Sequence, residues 1–306
     1  MSTIGYRSNH HNKQDKRIIR TGFLFLLPAL LAVSFSTLFP FLFNIILSFF
    51  HWDGYKKINW VAGGNYRELF TSNISFLHIL GNSVYLAVLT TILTVVSGVV
   101  MALVLYNLKQ RAGKISTLIL FLPAMMPFTI VALLFTFLLN NQMGPINSFL
   151  REIGLDSLAL AWLSNRRTVI PVMAAVSAWR YAGSTMILCF AALQNIPNDL
   201  MEAAQLDGAG YINRLRKIIL PLIAPMIKLQ VVLTLMGAFK SYDVVRVMTN
   251  GGPGIASYTV SMLMLDTGFN YREYGLAASM GCILTAVILI SIFVINKLFR
   301  SESYEF

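Results

Sequence analysis

Long stretches without charge organise this chain. Thr21 to Trp52 contains no Asp, Glu, Lys or Arg, and neither do Ile79 to Leu108 or Ile115 to Leu139. Thr168 to Gln194 is interrupted only by Arg180, and Gly275 to Asn296 is uncharged. Leu222 to Met248 carries Lys228, Lys240 and, near one end, Asp243 and Arg246. A helix crosses a hydrocarbon core of roughly 30 Å with about 20 mainly apolar residues. Six spans are therefore predicted, at about 21–50, 79–108, 115–139, 168–194, 222–248 and 275–298. Most exceed the minimum, so tilt or bending is expected, with Pro28, Pro40, Pro123 and Pro127 as kink points. The fold class is an all-α membrane protein.

Lysine and arginine in the connecting segments set the orientation. With the N-terminus inside, the cytoplasm receives Arg7, Lys13, Lys16, Arg17, Arg20, Lys109, Arg111, Lys114, Arg214, Arg216, Lys217, Lys297 and Arg300. The outside receives Lys56, Lys57, Arg67, Arg151, Arg166, Arg167, Arg246 and Arg272. The excess places both termini in the cytoplasm. The basic run before Thr21 is followed by an apolar run too long for a signal peptide and without a small-residue cleavage site. It reads as an uncleaved first helix behind a basic tail, giving a tail at 1–20, one membrane domain at 21–300 and a tail at 301–306.

Composition agrees. The 306 residues are 56% hydrophobic and 12% charged, against roughly 25% charged in soluble chains. The net charge of +11 is largely topology signal, so no nucleic-acid partner is needed to explain it. Two cysteines and four scattered histidines exclude a disulfide framework and offer no metal site. Cys189 and Cys282 read as small apolar residues.

The segment between spans four and five, residues 195–221, is more specific than a linker. Asp199 and Glu202 have the spacing of a capping box. Leu200 to Leu206 is rich in helix formers, and Gly208 and Gly210 can take positive φ and end that helix. A second helix is expected over Tyr211–Leu220, stopped by Pro221. The result is a helix–turn–helix elbow in which Ala203 and Ala204 offer a small, flat surface to another protein.

Glu202-Ala203-Ala204, then Gly208 after three residues, then Ile218 and Leu220-Pro221 after nine more, resembles the EAA signature of binding-protein-dependent ABC importer permeases. Asp207-Gly208-Ala209 matches the fuller form of sugar permeases. Asn65-Tyr66-Arg67-Glu68-Leu69-Phe70, Leu122-Pro123 with Pro127, and Asn250-Gly251-Gly252-Pro253 also fit the family's pattern. The likeness covers roughly residues 20–300 and is nearest to the maltose-type first permease subunit of carbohydrate importers, without that protein's extra N-terminal helices and large periplasmic insert.

The resemblance implies a type I ABC importer transmembrane domain in a bacterial inner membrane, one half of a heterodimer. Its implied partners are a second permease subunit, two ATPase subunits and an extracytoplasmic solute-binding protein. Glu202, Ala203, Ala204, Asp207 and Gly208 would form the coupling helix that docks on an ATPase, and Gly208→Asp is expected to abolish transport with membrane insertion intact. The chain itself is expected to bind no cofactor, with ATP and Mg held by the partner. Consistently, it contains no G-x-x-x-x-G-K-[ST] loop; Leu108 stands where Gly113-Lys114 would need the first glycine.

Carried over by alignment from the elbow, the sugar-contacting positions fall at Phe128, Ser177, Arg180, Tyr181, Ser184, Thr234 and Ala238. Several differ from the polar residues of the maltose-type protein, which implies a different sugar. An arginine at mid-membrane costs roughly 2.5–3.5 kcal/mol on insertion scales. Arg180 is fifteen residues from Asn195 and Lys240 nineteen from Pro221, about 22 and 28 Å along their helices, so similar depths are expected. Two readings stay open: Arg180 pairs with Asp243 or snorkels, or Arg180 and Lys240 face an acidic sugar such as a uronate oligosaccharide. Two other function classes fit less well. An ion-driven secondary transporter calls for paired intramembrane acids or discontinuous helices, and a membrane-embedded enzyme needs a nucleophile, base and orienter set that the sequence lacks.

Overall fold

The computed structural model describes residues 21–55, 58–71, 75–108 and 110–299. The tails at 1–20 and 301–306, with Lys56, Lys57, Lys109 and Arg300, lie outside the described residues.

The first helix, α1 (Thr21–Leu47), is long and apolar, and no residue of its most apolar window is buried against the rest of the chain. It contains a π-helical turn, Ser34–Leu38, just before Pro40. Proline has no N–H and its ring crowds the carbonyl four residues back, and a wider turn absorbs both defects. The span ends at Leu47 rather than near residue 50. The chain just beyond its end is held by Asn65, whose Nδ2 donates to Ser48 O at 2.8 Å and Phe50 O at 2.9 Å. A short antiparallel pair follows, β1 (Phe50–His51) with β2 (Asn59–Trp60), then α2 (Gly64–Thr71). Farther along, Asn44 ties α1 to the last helix through Ala278 O at 3.4 Å and Cys282 Sγ at 3.6 Å.

The second span is α3 (Phe76–Tyr106), 31 residues without proline. The third is not one rod. It consists of α4 (Gln110–Met125) and α5 (Phe128–Leu138), bent by 93° at the break. Pro123 removes a donor inside α4, and Pro127, extended at ψ 135°, caps α5, so the two expected kink points together break the helix. After α6 (Pro145–Glu152) comes α7 (Val169–Gln194), the fourth span, with 13 of its 26 residues buried.

Among the described residues, four helices are long and apolar enough to cross a membrane, or five if α4 and α5 count as one. The fourth expected span, α7, is not among them, because its middle carries Trp179, Arg180, Tyr181, Ser184 and Thr185. A helix enclosed by other helices need not be apolar all round. Its packing is close. A Cβ on Gly98 of α3 would lie 2.6 Å from the Thr185 side chain, and one on Gly183 would lie 2.6 Å from Leu120 O of α4. Small residues at such crossings let backbones approach where burial of apolar area gives little drive.

The fifth span differs from expectation at both ends. Helix α9 runs without a stop from Tyr211 to Phe239. Pro221 does not end the elbow's second helix, because a π-helical turn at Leu215–Ile219 precedes it and Leu220 N–H bonds Leu215 O, the device already seen before Pro40. At the other end, Lys240 is already the C-cap, and Asp243 and Arg246 belong to a separate short helix, α10 (Asp243–Met248). Then come α11 (Val260–Leu265), a π turn at Asp266–Asn270, and α12 (Tyr274–Leu298).

Three apolar clusters hold the bundle. Leu69, Phe76, Leu235, Phe239 and Met280 join α2, α3, α9 and α12. Leu86, Val131, Met173 and Val244 join α3, α5, α7 and α10. Val95, Met186, Leu193, Ile219 and Ile223 join α3, α7 and the elbow end of α9.

Candidate functional site

The elbow is built by its glycine and its proline. Helix α8 (Asn198–Leu206) is capped at its start by Pro197, extended at φ −59° and ψ 133°, with no side-chain cap bond. The expected capping box is therefore absent: proline's fixed φ starts the helix upstream, leaving Asp199 in the first turn, where it favours the helix dipole. At the other end Gly208 sits at φ +76°. Gly208 N–H bonds Gln205 O at 3.0 Å and Ala209 N–H bonds Ala204 O at 2.9 Å. That is the Schellman pair, which needs a left-handed residue at Gly208. Gly210 instead takes an extended conformation and caps α9. Asn107 Nδ2 donates to the Tyr211 hydroxyl at 3.2 Å, bracing the elbow on the end of α3.

The two alanines do not share a surface. Ala204 turns into the protein at 8% exposure, while Glu202, Ala203 and Asp207 face out. Leu206 joins them at 90% exposure. It stands four residues from Glu202 and three from Ala203, hence on the same helix face. Sequence reasoning counted Leu206 only as a helix former; its spacing from Glu202 was the available signal.

The substrate-path residues divide. Arg180 projects from α7 toward the break in the third span. Its Nε donates to Met126 O at 3.1 Å, the carbonyl left free where α4 ends. The guanidinium carbon lies 4.6 Å from the Tyr181 ring centroid and 5.3 Å from that of Phe128. Those two rings stack on each other at 5.9 Å and 20°. So Phe128, Arg180 and Tyr181 form one unit. Among the described residues no ion pair joins Arg180 to Asp243.

The others lie elsewhere. Lys240 is exposed and lines a separate cavity of about 390 Å³ with Asn44, Tyr242, Ser261 and Thr285. Ser184 and Thr234 are half-buried. Ser177, at 1% exposure, returns its hydroxyl to Met173 O at 2.8 Å, and Ala238 packs in the core beside Leu235 and Phe239.

One polar cluster had no sequence signal. Asp266 is buried and accepts from the Tyr258 hydroxyl and, at 2.7 Å, from Asn270 Nδ2, with Arg246 Nη1 at 3.7 Å. It pins the π turn to α10. Burial, then the neighbouring carboxylate, pushes the Tyr258 phenol above its ordinary range.

Comparisons with known proteins agree with this architecture. Residues 94–302 match the family described as binding-protein-dependent transport system inner membrane component. A probable ABC transporter permease, YurN of Bacillus subtilis (strain 168), is 34% identical over 285 residues, covering 92% of this chain and 97% of that one. The diacetylchitobiose uptake system permease NgcF of Streptomyces coelicolor is 30% identical, covering 85% of this chain and 78% of its own length. A solved bacterial ABC transporter involved in the import of the acidic polysaccharide alginate superposes with a TM-score of 0.78 at 25% identity, covering 94% of this chain and 98% of the other. With its multi-pass helical bundle and its glycine-stopped elbow, the chain belongs to the binding-protein-dependent transport system inner membrane components, as a permease subunit of the carbohydrate type of ABC importer.

Proposed function

We propose that this chain is one half of a heterodimeric permease that passes an acidic oligosaccharide into a bacterial cell across the inner membrane. One relative is named for diacetylchitobiose uptake, and a solved neighbour for import of an acidic polysaccharide. In this reading the remaining parts are a second permease subunit, a pair of ATPase subunits that hold ATP and Mg, and a solute-binding protein outside.

The observation that carries the substrate class is the Phe128–Arg180–Tyr181 unit. With Nε committed to Met126 O, both terminal nitrogens of Arg180 stay available for a paired contact with a carboxylate. The stacked rings hold the guanidinium plane by cation–π attraction, worth roughly 0.5–2 kcal/mol at such sites. They also offer an apolar face to a sugar ring. Among the described residues Arg180 has no acidic partner, and a cation kept this way suits a ligand that brings its own negative charge.

Movement would come through the elbow. Helix α7 carries Arg180, Tyr181 and Ser184 and leads directly into α8, and α9 carries Thr234 on an unbroken rod that starts at the elbow. A pull on Glu202, Ala203, Leu206 and Asp207 by an ATPase therefore moves both walls of the path together. All six expected spans take part in this reading, with α7 as the enclosed fourth and both termini cytoplasmic.

The test is uptake and substrate-stimulated ATPase activity of the reconstituted complex on uronate and neutral oligosaccharides. Arg180→Gln should lose acidic substrates selectively, and Arg180→Lys should keep part of that activity. The hydrogen bond to Met126 O favours a second reading, in which Arg180 only braces the helix break. Equal losses on acidic and neutral sugars would select the brace and sink the substrate assignment.

A further inference from the structure

On the elbow side of the bundle, a groove of about 540 Å³ opens between the ends of α3 and α7 and the start of α4. Its walls are apolar where Leu105, Leu108 and Phe190 line it. Its polar lining is Lys114 and Gln194, both exposed, with the half-buried Tyr106. Thr117 contributes no free donor, because its hydroxyl proton goes to Gly113 O at 2.8 Å. Among the described residues that line the groove none is acidic. Two further cations, Lys109 and Arg111, precede Lys114 in the sequence.

What covers this groove follows from its surroundings. Above it along α3, Val96, Val100 and Val104 form an exposed apolar stripe at four-residue spacing. Along α4, Ile115, Leu118, Ile119 and Leu122 are exposed by more than half. Such broad apolar faces on membrane-spanning helices meet lipid tails. The groove thus carries the Lys114 ammonium at its elbow end and continues, through Leu108, into an apolar surface toward the bilayer centre. Basic pockets between transmembrane helices on the cytoplasmic side suit anionic headgroups.

We propose that this groove is a binding site for an anionic phospholipid of the leaflet on the elbow side. The lipid phosphate sits on Lys114, and its acyl chains lie along α3 and α4. The site adjoins the elbow at two points. Gln194 is the last residue of α7, from which the chain passes into α8, and Asn107, beside Leu105, Tyr106 and Leu108, donates to Tyr211 at the start of α9. A bound lipid therefore steadies the helix ends from which the elbow hangs, and membrane charge modulates coupling. This is separate from the acidic-sugar reading and stands whichever sugar is carried.

The experiment uses the assembled importer in nanodiscs of phosphatidylglycerol or of phosphatidylcholine, with lipid retention read by native mass spectrometry. The wild type should retain phosphatidylglycerol in preference and show higher coupled ATPase activity in those discs. Lys114→Gln should lower retention roughly fivefold, the share of one lysine near a charged surface, and remove the activity difference. Lys114→Arg should preserve both. Equal retention of the two lipids by the wild type, or unchanged retention by Lys114→Gln, overturns the proposal. So does inorganic phosphate acting as well as the lipid in detergent, which would make the ligand a free anion. Loss of ATPase or permease subunits from Lys114→Gln in lipid-free detergent would mean that a protein fills the groove, and would equally overturn it.

Discussion

Gly208 is where the elbow depends on a single backbone angle. It sits at φ +76°, and a Cβ built there meets nothing within 4 Å. A substitution therefore costs backbone strain with no clash inside the chain. For an ordinary L-residue that strain is roughly 1–2 kcal/mol, which lowers the population of the native turn about 5–30-fold. Asparagine tolerates the left-handed region best among side-chain-bearing residues, and a β-branched residue tolerates it worst. The expected order of uptake in the reconstituted importer is wild type, then Gly208→Asn, Gly208→Ala and Gly208→Val, with the last reduced about tenfold or more. Gly208→Asp adds a charge beside Asp207 and should abolish transport. Insertion should survive in all four, because the turn lies outside the bundle's apolar clusters; protease mapping of the membrane-inserted chain checks this. If asparagine were as damaging as valine, bulk in the docked interface and not φ would be the cause. If valine transported normally, the strain argument would be refuted.

Other consequences are simpler to state. Leu206→Asp removes the most exposed apolar side chain of the elbow; if it is buried in a docked ATPase, roughly 1.5–3 kcal/mol of association is lost, seen as a fall in coupled ATPase activity with the permease fold intact. Gly98→Val forces a branched side chain against Thr185, already 2.6 Å from an added Cβ; overpacking of this kind costs about 1–3 kcal/mol and should lower the thermal midpoint of the detergent-solubilised protein.

Much of this molecule is legible in its sequence because a membrane imposes simple rules. Runs poor in charge match the helices Phe76–Tyr106, Val169–Gln194 and Tyr274–Leu298 to within about three residues at each end. Lipid excludes charge from the helix surface, and the one cation in these runs, Arg180, faces other helices. The elbow was legible because Gly208 has few other uses at that place in a helix end. Errors gathered where the backbone is irregular. Pro123 and Pro127 marked bends but not a 93° break. Pro221 looked like a stop, because an intervening π turn has no sequence signature of its own. Hydrophobic residues continue past Lys240 through Val244 and Val245, which extends the expected fifth span, but these valines form the buried face of a separate short helix. The pairing of Arg180 with Phe128 and Met126 O joins residues more than fifty positions apart, and periodicity within one helix carries no trace of it.

Site-directed crosslinking of the elbow tests the central claim most directly. Ala203→Cys places a thiol on the exposed face of α8, to be paired with single cysteines on the ATPase subunit in the assembled importer. The account predicts a crosslink whose yield changes with ATP and which arrests uptake until it is reduced. No crosslink at any nucleotide state, with uptake proceeding at the wild-type rate, would contradict it.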